Sequence, residues 1–117
     1  MTVEFSASQE LVDASTHVIA VTGEIDIFTA PEFKSVISDA IDTGRDTVVV
    51  DLTGATFIDS SSLGVLISAH RRLAQREGRL VVATDVPAVR KTFEITGLDS
   101  VLDVVATRDE ALGHNRG

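Results

Sequence analysis

The chain contains no cysteine, so disulfides, thiolate nucleophiles and thiol redox switches are all excluded. Tryptophan and tyrosine are missing too, and aromatics make up only 4% of the residues. Stacking platforms for nucleobases are therefore absent. Basic residues are scarce: ten Lys plus Arg stand against eighteen Asp plus Glu, for a formal net charge of −8 over 117 residues. Such a chain repels phosphate backbones and anionic membranes, which argues against nucleic acid as a partner. The acidic residues are spread out, as on an ordinary solvated surface. No apolar run approaches the roughly 20 residues that span a bilayer, so no direct membrane insertion is expected. The opening MTVEFSASQE lacks the basic start and apolar block of a secretory signal. Together these absences lead to the expectation of a cytoplasmic protein.

Enzymatic signatures are missing as well. There is no G-x-x-x-x-G-K-[ST] phosphate loop and no G-x-S-x-G around any serine. His17, His70 and His114 lie far apart, without ligand spacing to carboxylates. His70 shares an expected helix face with Leu63, Leu66, Ile67 and Leu73, where a packed histidine is the ordinary reading. Asp26, Asp51 and Asp59 fall at or near expected strand ends. Carboxylates there serve as turn or cap residues, or as metal ligands, and no spacing supports a metal. No cofactor is expected.

What is present is a globular amount of apolar sequence, 44%, enough for one core. The length suits a single domain over 1–117, ordered over about 3–112 with a polar tail at 113–117. VEFSASQELV suggests a short first strand, and THVIAVTGEI is a β-branched strand. TAPEFKSVISDAIDTG reads as a helix, with Thr29 as N-cap, Glu32 completing a capping box and Gly44 as the stop. TVVVDLTG and RLVVAT are continuous apolar runs of the kind found in strands buried on both faces. LGVLISAHRRLAQREG, closed by Gly78, and PAVRKTFEITG, between Pro87 and Gly97, are helical. VLDVVAT is a strand, and RDEALGHNRG is a short helix that frays. The alternation predicts an α/β domain: one mixed, mostly parallel sheet of four to five strands, its first two paired as a hairpin, with about four helices packed against it.

One stretch carries more hydroxyls than a helix start needs. In FIDSSSLGVL, either Asp59 or Ser60 can cap the helix and satisfy its first amides. Ser61 and Ser62 then contribute little, because serine is a mediocre helix former. The turn follows a parallel-type strand, the end at which open α/β sheets place their sites. At about 100° per residue, Leu63, Leu66, Ile67, His70, Leu73 and Ala74 form a core stripe. Ser61, Val65, Ser68, Arg72 and Arg76 fall opposite it, on a face that reads either as a docking surface or as a solvated face with one stray valine. Gly23 and Asp26 fit ordinary turn chemistry after the second strand. Gly64 costs about 1 kcal/mol relative to alanine, and it admits close approach of a strand or of a partner.

TGEID (22–26) and DLTGATFIDSSSLGVLISAHRRL (51–73) are similar to the two signature segments of STAS-domain anti-sigma factor antagonists. The resemblance implies the STAS fold and a non-enzymatic partner switch. Its partner is an anti-sigma factor that is also a serine kinase, and ATP is bound by that kinase. The serine after the motif aspartate, Ser60, is the implied phosphorylation site, with Ser61 as a secondary candidate. The unphosphorylated domain binds the kinase and frees a sigma factor. Phosphorylation ends that binding, and a serine phosphatase resets the system. Implied or expected partner contacts are Glu24, Asp26, Asp59, Ser61, Ser62, Val65, Ser68 and Arg72, on a monomer or weak dimer. Family members often carry glycine where this chain has Ser62. An alternative reading is a constitutive accessory subunit of a transporter or of a stress-signalling complex.

Overall fold

The computed structural model describes residues 4–113. Five strands form one sheet: β1 (Ser6–Leu11), β2 (Thr16–Ile25), β3 (Thr47–Ile58), β4 (Arg79–Ala83) and β5 (Asp103–Val105). Between and after them come α1 (Ala30–Asp42), α2 (Ser60–Ala74), α3 (Pro87–Thr96), a 3₁₀ turn (Leu98–Ser100) and α4 (Arg108–Gly113). The strand order is sequential, β1-β2-β3-β4-β5. The β1–β2 pair is an antiparallel hairpin, and the other three pairings are parallel. Right-handed crossovers between neighbouring parallel strands put their helices on one face. The main core accordingly joins Ile19, Val48, Val50 and Val82 of the sheet to Phe33 and Ile37 of α1, Leu66 and Leu73 of α2, and Phe93 of α3. The alternate side chains Val18, Val49, Val81 and Val105 point the other way and meet Ala111 of α4. Among the described residues, no helix is long and apolar enough to cross a membrane.

Several expected boundaries move. The third strand continues through Thr53–Ile58, because its outer half pairs with the end of β2, from Thr22↔Gly54 to Ile25↔Ile58. Gly23, at φ +90°, sits beside a break in that register, a conformation that side-chain-bearing residues rarely adopt. Val101 and Leu102 precede β5, since the 3₁₀ turn takes up that backbone. α2 ends at Ala74, short of Gly78, and Glu77 adopts the left-handed conformation there, at φ +61°. Thr29 does precede α1, but its side chain makes no cap. Its hydroxyl instead accepts from the Asp26 amide at 2.9 Å and donates to the Glu24 carbonyl at 3.2 Å. Residues 1–3 and 114–117, with His114 and most of the expected tail, lie outside the described residues.

Asp51 is interior to β3 rather than at its end. Its Oδ2 accepts from Arg108 Nε at 3.0 Å, and Arg108 Nη1 reaches Glu10 Oε2 at 2.7 Å, so one guanidinium ties α4 to β3 and β1. Burial alone would raise the Asp51 pKa, but the Thr53 hydroxyl and amide and Arg108 outweigh it and hold it below the ordinary carboxylate value.

His17, on β2, is only 6% exposed. Its Nε2 pairs with Gln9 Oε1 at 2.9 Å, while its buried Nδ1 has no partner. Desolvation, aided by the Arg45 charge, depresses its pKa below the ordinary 6.5. The unfolded chain then binds this proton more tightly than the folded one. Stability is complete above about 6.5 and is lost as pH falls below it toward the lowered folded value. Urea unfolding at descending pH is expected to show this loss in the wild type and less of it in His17→Gln. Parallel curves would exclude His17 as its source.

Candidate functional site

The site is built where β2 and β3 end side by side. Three contacts converge on Ile25, the last residue of β2. Its carbonyl accepts from the Asp59 amide at 3.2 Å and from the Ser62 hydroxyl at 3.2 Å, and it belongs to the strand end paired with Ile58. Asp59 is the extended N-cap of α2, and its Oδ1 accepts from the Ser62 amide at 3.2 Å. Of the two cap candidates the structure uses Asp59. Ser60 is the first helical residue and Ser61 the second, both exposed. Their amides belong to the first turn, which has no intrahelical acceptors and carries the positive end of the helix dipole. The exposed Ser60 is thus framed by Asp59 and Ser62, both fixed to the sheet.

Ser62 departs from the expectation that it contacts a partner. It is fully buried, at 0% exposure, and offers no surface. Its hydroxyl ties the start of α2 to β2 across 37 residues of chain. Replacing it with glycine removes that bond and loosens the first turn. Ser62→Gly is expected to lower stability by about 1–2 kcal/mol, read from the urea midpoint at unchanged slope. An unchanged midpoint would contradict this role.

The remaining expected contacts fall into two groups. Glu24, Asp26 and Asp59 are half-buried at the strand ends. Asp26 Oδ1 accepts from the Phe28 amide at 2.9 Å and the Thr29 amide at 3.1 Å, which is turn chemistry. Ser61, Val65, Ser68 and Arg72 do share a face of α2, which borders α1, with Ser61, Ser68 and Arg72 exposed and Val65 half-buried. With Lys34, Ile37, Ser38 and Ile41 they line a groove of about 490 Å³. Val65 is half-buried against the core, and Arg72 is engaged by Asp42 at 2.9 Å and Ser38 at 3.4 Å. The buried stripe of α2 is rotated accordingly. It comprises Ser62, Leu63, Leu66, Ala69 and Leu73, while Ile67 and His70 are half-buried and Ala74 is exposed. The helix packs on α1 as well as on the sheet, which brings Ala69 inside. A Cβ added at Gly64 would meet nothing within 4 Å, so no strand approaches this glycine, and it widens the groove.

Sequence reasoning missed the most exposed apolar residues at this end. Phe28 is 88% exposed, Ile27 64% and Phe57 46%. The available signal was the pair Ile27-Phe28, two large apolar residues in a turn that the Asp26 and Thr29 side chains already define. Among the described residues no cluster of three His, Cys, Asp or Glu side chains is placed to hold a metal. Asp26 and Asp59 bind backbone amides, and Asp51 binds Thr53 and Arg108.

Comparison with known proteins agrees with this architecture. The STAS domain family model matches residues 9–111. An anti-sigma-B factor antagonist of Listeria monocytogenes is 34% identical over 99 residues, covering 83% of this chain and 85% of the relative. An anti-sigma factor antagonist from Mycobacterium paratuberculosis superposes with a TM-score of 0.89 at 29% identity, covering 97% of this chain and 96% of that one. The anti-sigma factor antagonist SpoIIAA in its unphosphorylated form gives a TM-score of 0.81 at 31% identity, over 96% and 97% of the two chains. Bacillus SpoIIAA in the phosphorylated form gives 0.72 at 30%, over 93% and 98%. With its family model covering most of its length, its sheet in sequential order and a capped serine turn at the strand ends, the chain belongs to the STAS domain family, among relatives named anti-sigma factor antagonists.

Proposed function

We propose that this protein is an anti-sigma factor antagonist switched by phosphorylation of Ser60. The unphosphorylated form binds an anti-sigma factor that is also a serine kinase, and so frees a sigma factor. Phosphate on Ser60 ends that binding, and a serine phosphatase restores it. The domain is a binding module rather than an enzyme. ATP is bound by the kinase, and this chain needs no cofactor of its own. It works in the cytoplasm as a monomer or weak dimer. The partner surface is centred on Ser60 and Ser61, with Glu24, Asp26 and Asp59 beside them and the α2 wall of Val65, Ser68 and Arg72 extending from it.

The observation that carries this reading is the turn itself: an exposed serine at the first helical position, flanked by residues locked to Ile25. A kinase needs such an accessible acceptor. The fixed frame makes a new charge felt at the interface instead of being absorbed by local rearrangement. Solved structures of SpoIIAA in both phosphorylation states share the fold of this chain, which supports a switch that acts without refolding.

The test is a binding titration against the purified anti-sigma factors of the source organism. Ser60→Ala is expected to bind like wild type and Ser60→Asp at least about tenfold more weakly. Equal affinities for the two variants would contradict the mechanism.

A further inference from the structure

We infer that Phe28 is the anchor of this domain's partner interface, and that it fits an apolar recess rimmed by Lys or Arg. The inference rests on the reading of Ser60 as the centre of a binding surface, and it adds the chemistry of the partner.

Four observations lead to it. Phe28 is 88% exposed and its neighbour Ile27 64%. Placing two large apolar side chains in water has a standing cost, and such patches mark interaction sites. The loop that presents them is rigid. Asp26 Oδ1 holds the amides of Phe28 and Thr29, Thr29 Oγ1 holds the Asp26 amide, and the Asp26 carbonyl takes the amide of Ala30 at 2.8 Å. With the backbone of the loop already ordered, docking costs only the ordering of the side chains themselves, which favours Phe28, with two rotatable side-chain bonds, as a binding hot spot.

The patch is also continuous with the serine turn. Phe28 is three residues beyond Ile25, whose carbonyl holds Asp59 and Ser62. Three residues span at most about 11 Å, so Phe28 lies within that reach of the strand end to which the serine turn is tied. The surroundings, finally, are acidic. From Glu24 to Phe33 the chain carries Glu24, Asp26 and Glu32, and from Ala55 to Gly64 its only charge is Asp59; the nearest cations are Lys34 and Arg72 on the α1–α2 groove, where Arg72 is already paired with Asp42. A second copy would set this rim against itself on a chain of net charge −8, and an anionic membrane would be repelled likewise. Charge complementarity selects a protein surface with an apolar centre and a basic rim.

The test uses the full chain and the purified anti-sigma factors of its organism. Phe28→Ser is expected to melt like wild type, because the side chain touches little of its own fold, yet to bind at least about 30-fold more weakly. Binding within about threefold of wild type would overturn the inference, and Ser60→Ala and Ser60→Asp in the same series would show the switch standing without it. If wild type binds none of these proteins, the reading of Ser60 and the inference fall together. A photoreactive benzoylphenylalanine at position 28 supplies the second arm. Its cross-link is expected on a segment of the bound partner that combines apolar residues with Lys or Arg. A cross-link to another copy of this chain, or none within a formed complex, would overturn the inference.

Discussion

Stoichiometric phosphate on Ser60 is expected to weaken binding of the anti-sigma factor at least about a hundredfold while leaving the melting temperature within a few degrees of the unmodified protein. Both halves follow from where the group sits. It adds about −1.5 to −2 charges and three strong acceptor oxygens. At the first position of α2 it meets amides without helical partners and the positive dipole end. Asp59, half-buried beside it, opposes the gain by like-charge repulsion, so the net effect on folding is small. At the interface nothing compensates. A partner surface shaped for a hydroxyl must accept a desolvated dianion, and one unpaired buried charge costs about 3–5 kcal/mol. At about 1.4 kcal/mol per decade, that is about two to three and a half orders of magnitude in affinity. Calorimetric titration and a thermal melt of the same phosphorylated sample check both halves. A collapse of the melting temperature would assign the effect to unfolding rather than to the interface.

The second large effect is structural. Leu66 is fully buried between α2, the sheet and α1. Leu66→Ala removes three carbons from a close-packed core and is expected to cost about 2–5 kcal/mol. Two positions earlier, Gly64→Ala adds a methyl that meets nothing within 4 Å. It is expected to stabilise by up to about 1 kcal/mol through helix propensity. Urea unfolding of both variants reads the orientation of α2 directly. Similar, small effects at the two positions would mean that the buried stripe lies elsewhere.

Much of this architecture was legible in the sequence, because burial leaves a periodic trace. The runs VVV and LVVA mark strands covered on both faces, and Pro87 and Gly97 bracket α3. What escaped was set by contacts distant along the chain. The outer half of β3, TGATFI, has no strand-like run of its own and is held by its pairing with β2. Thr29 and Glu32 have capping-box spacing, but Asp26 and Glu24 engage the threonine hydroxyl first. The core stripe of α2 was misplaced by part of a turn, because a helical wheel does not show the second helix against which α2 also packs. Ser62 is the sharpest case. Besides Asp59 Oδ1 at 3.3 Å, its hydroxyl reaches the Ile25 carbonyl 37 residues away, and nothing local distinguishes such a buried tether from a surface hydroxyl. In the candidate site, Asp59 and Ser60 were legible from the strand-to-helix turn. Phe28 was legible only in retrospect, as an apolar residue with no place in the core.

The proposed switch at Ser60 is most directly tested by peptide mapping. The chain is incubated with Mg-ATP and each purified anti-sigma factor kinase of its organism, digested, and fragmented in the mass spectrometer. One phosphate on Ser60, absent from Ser60→Ala, is the expected result. An unmodified chain, or phosphate confined to Ser61 or to a distant residue, would contradict it.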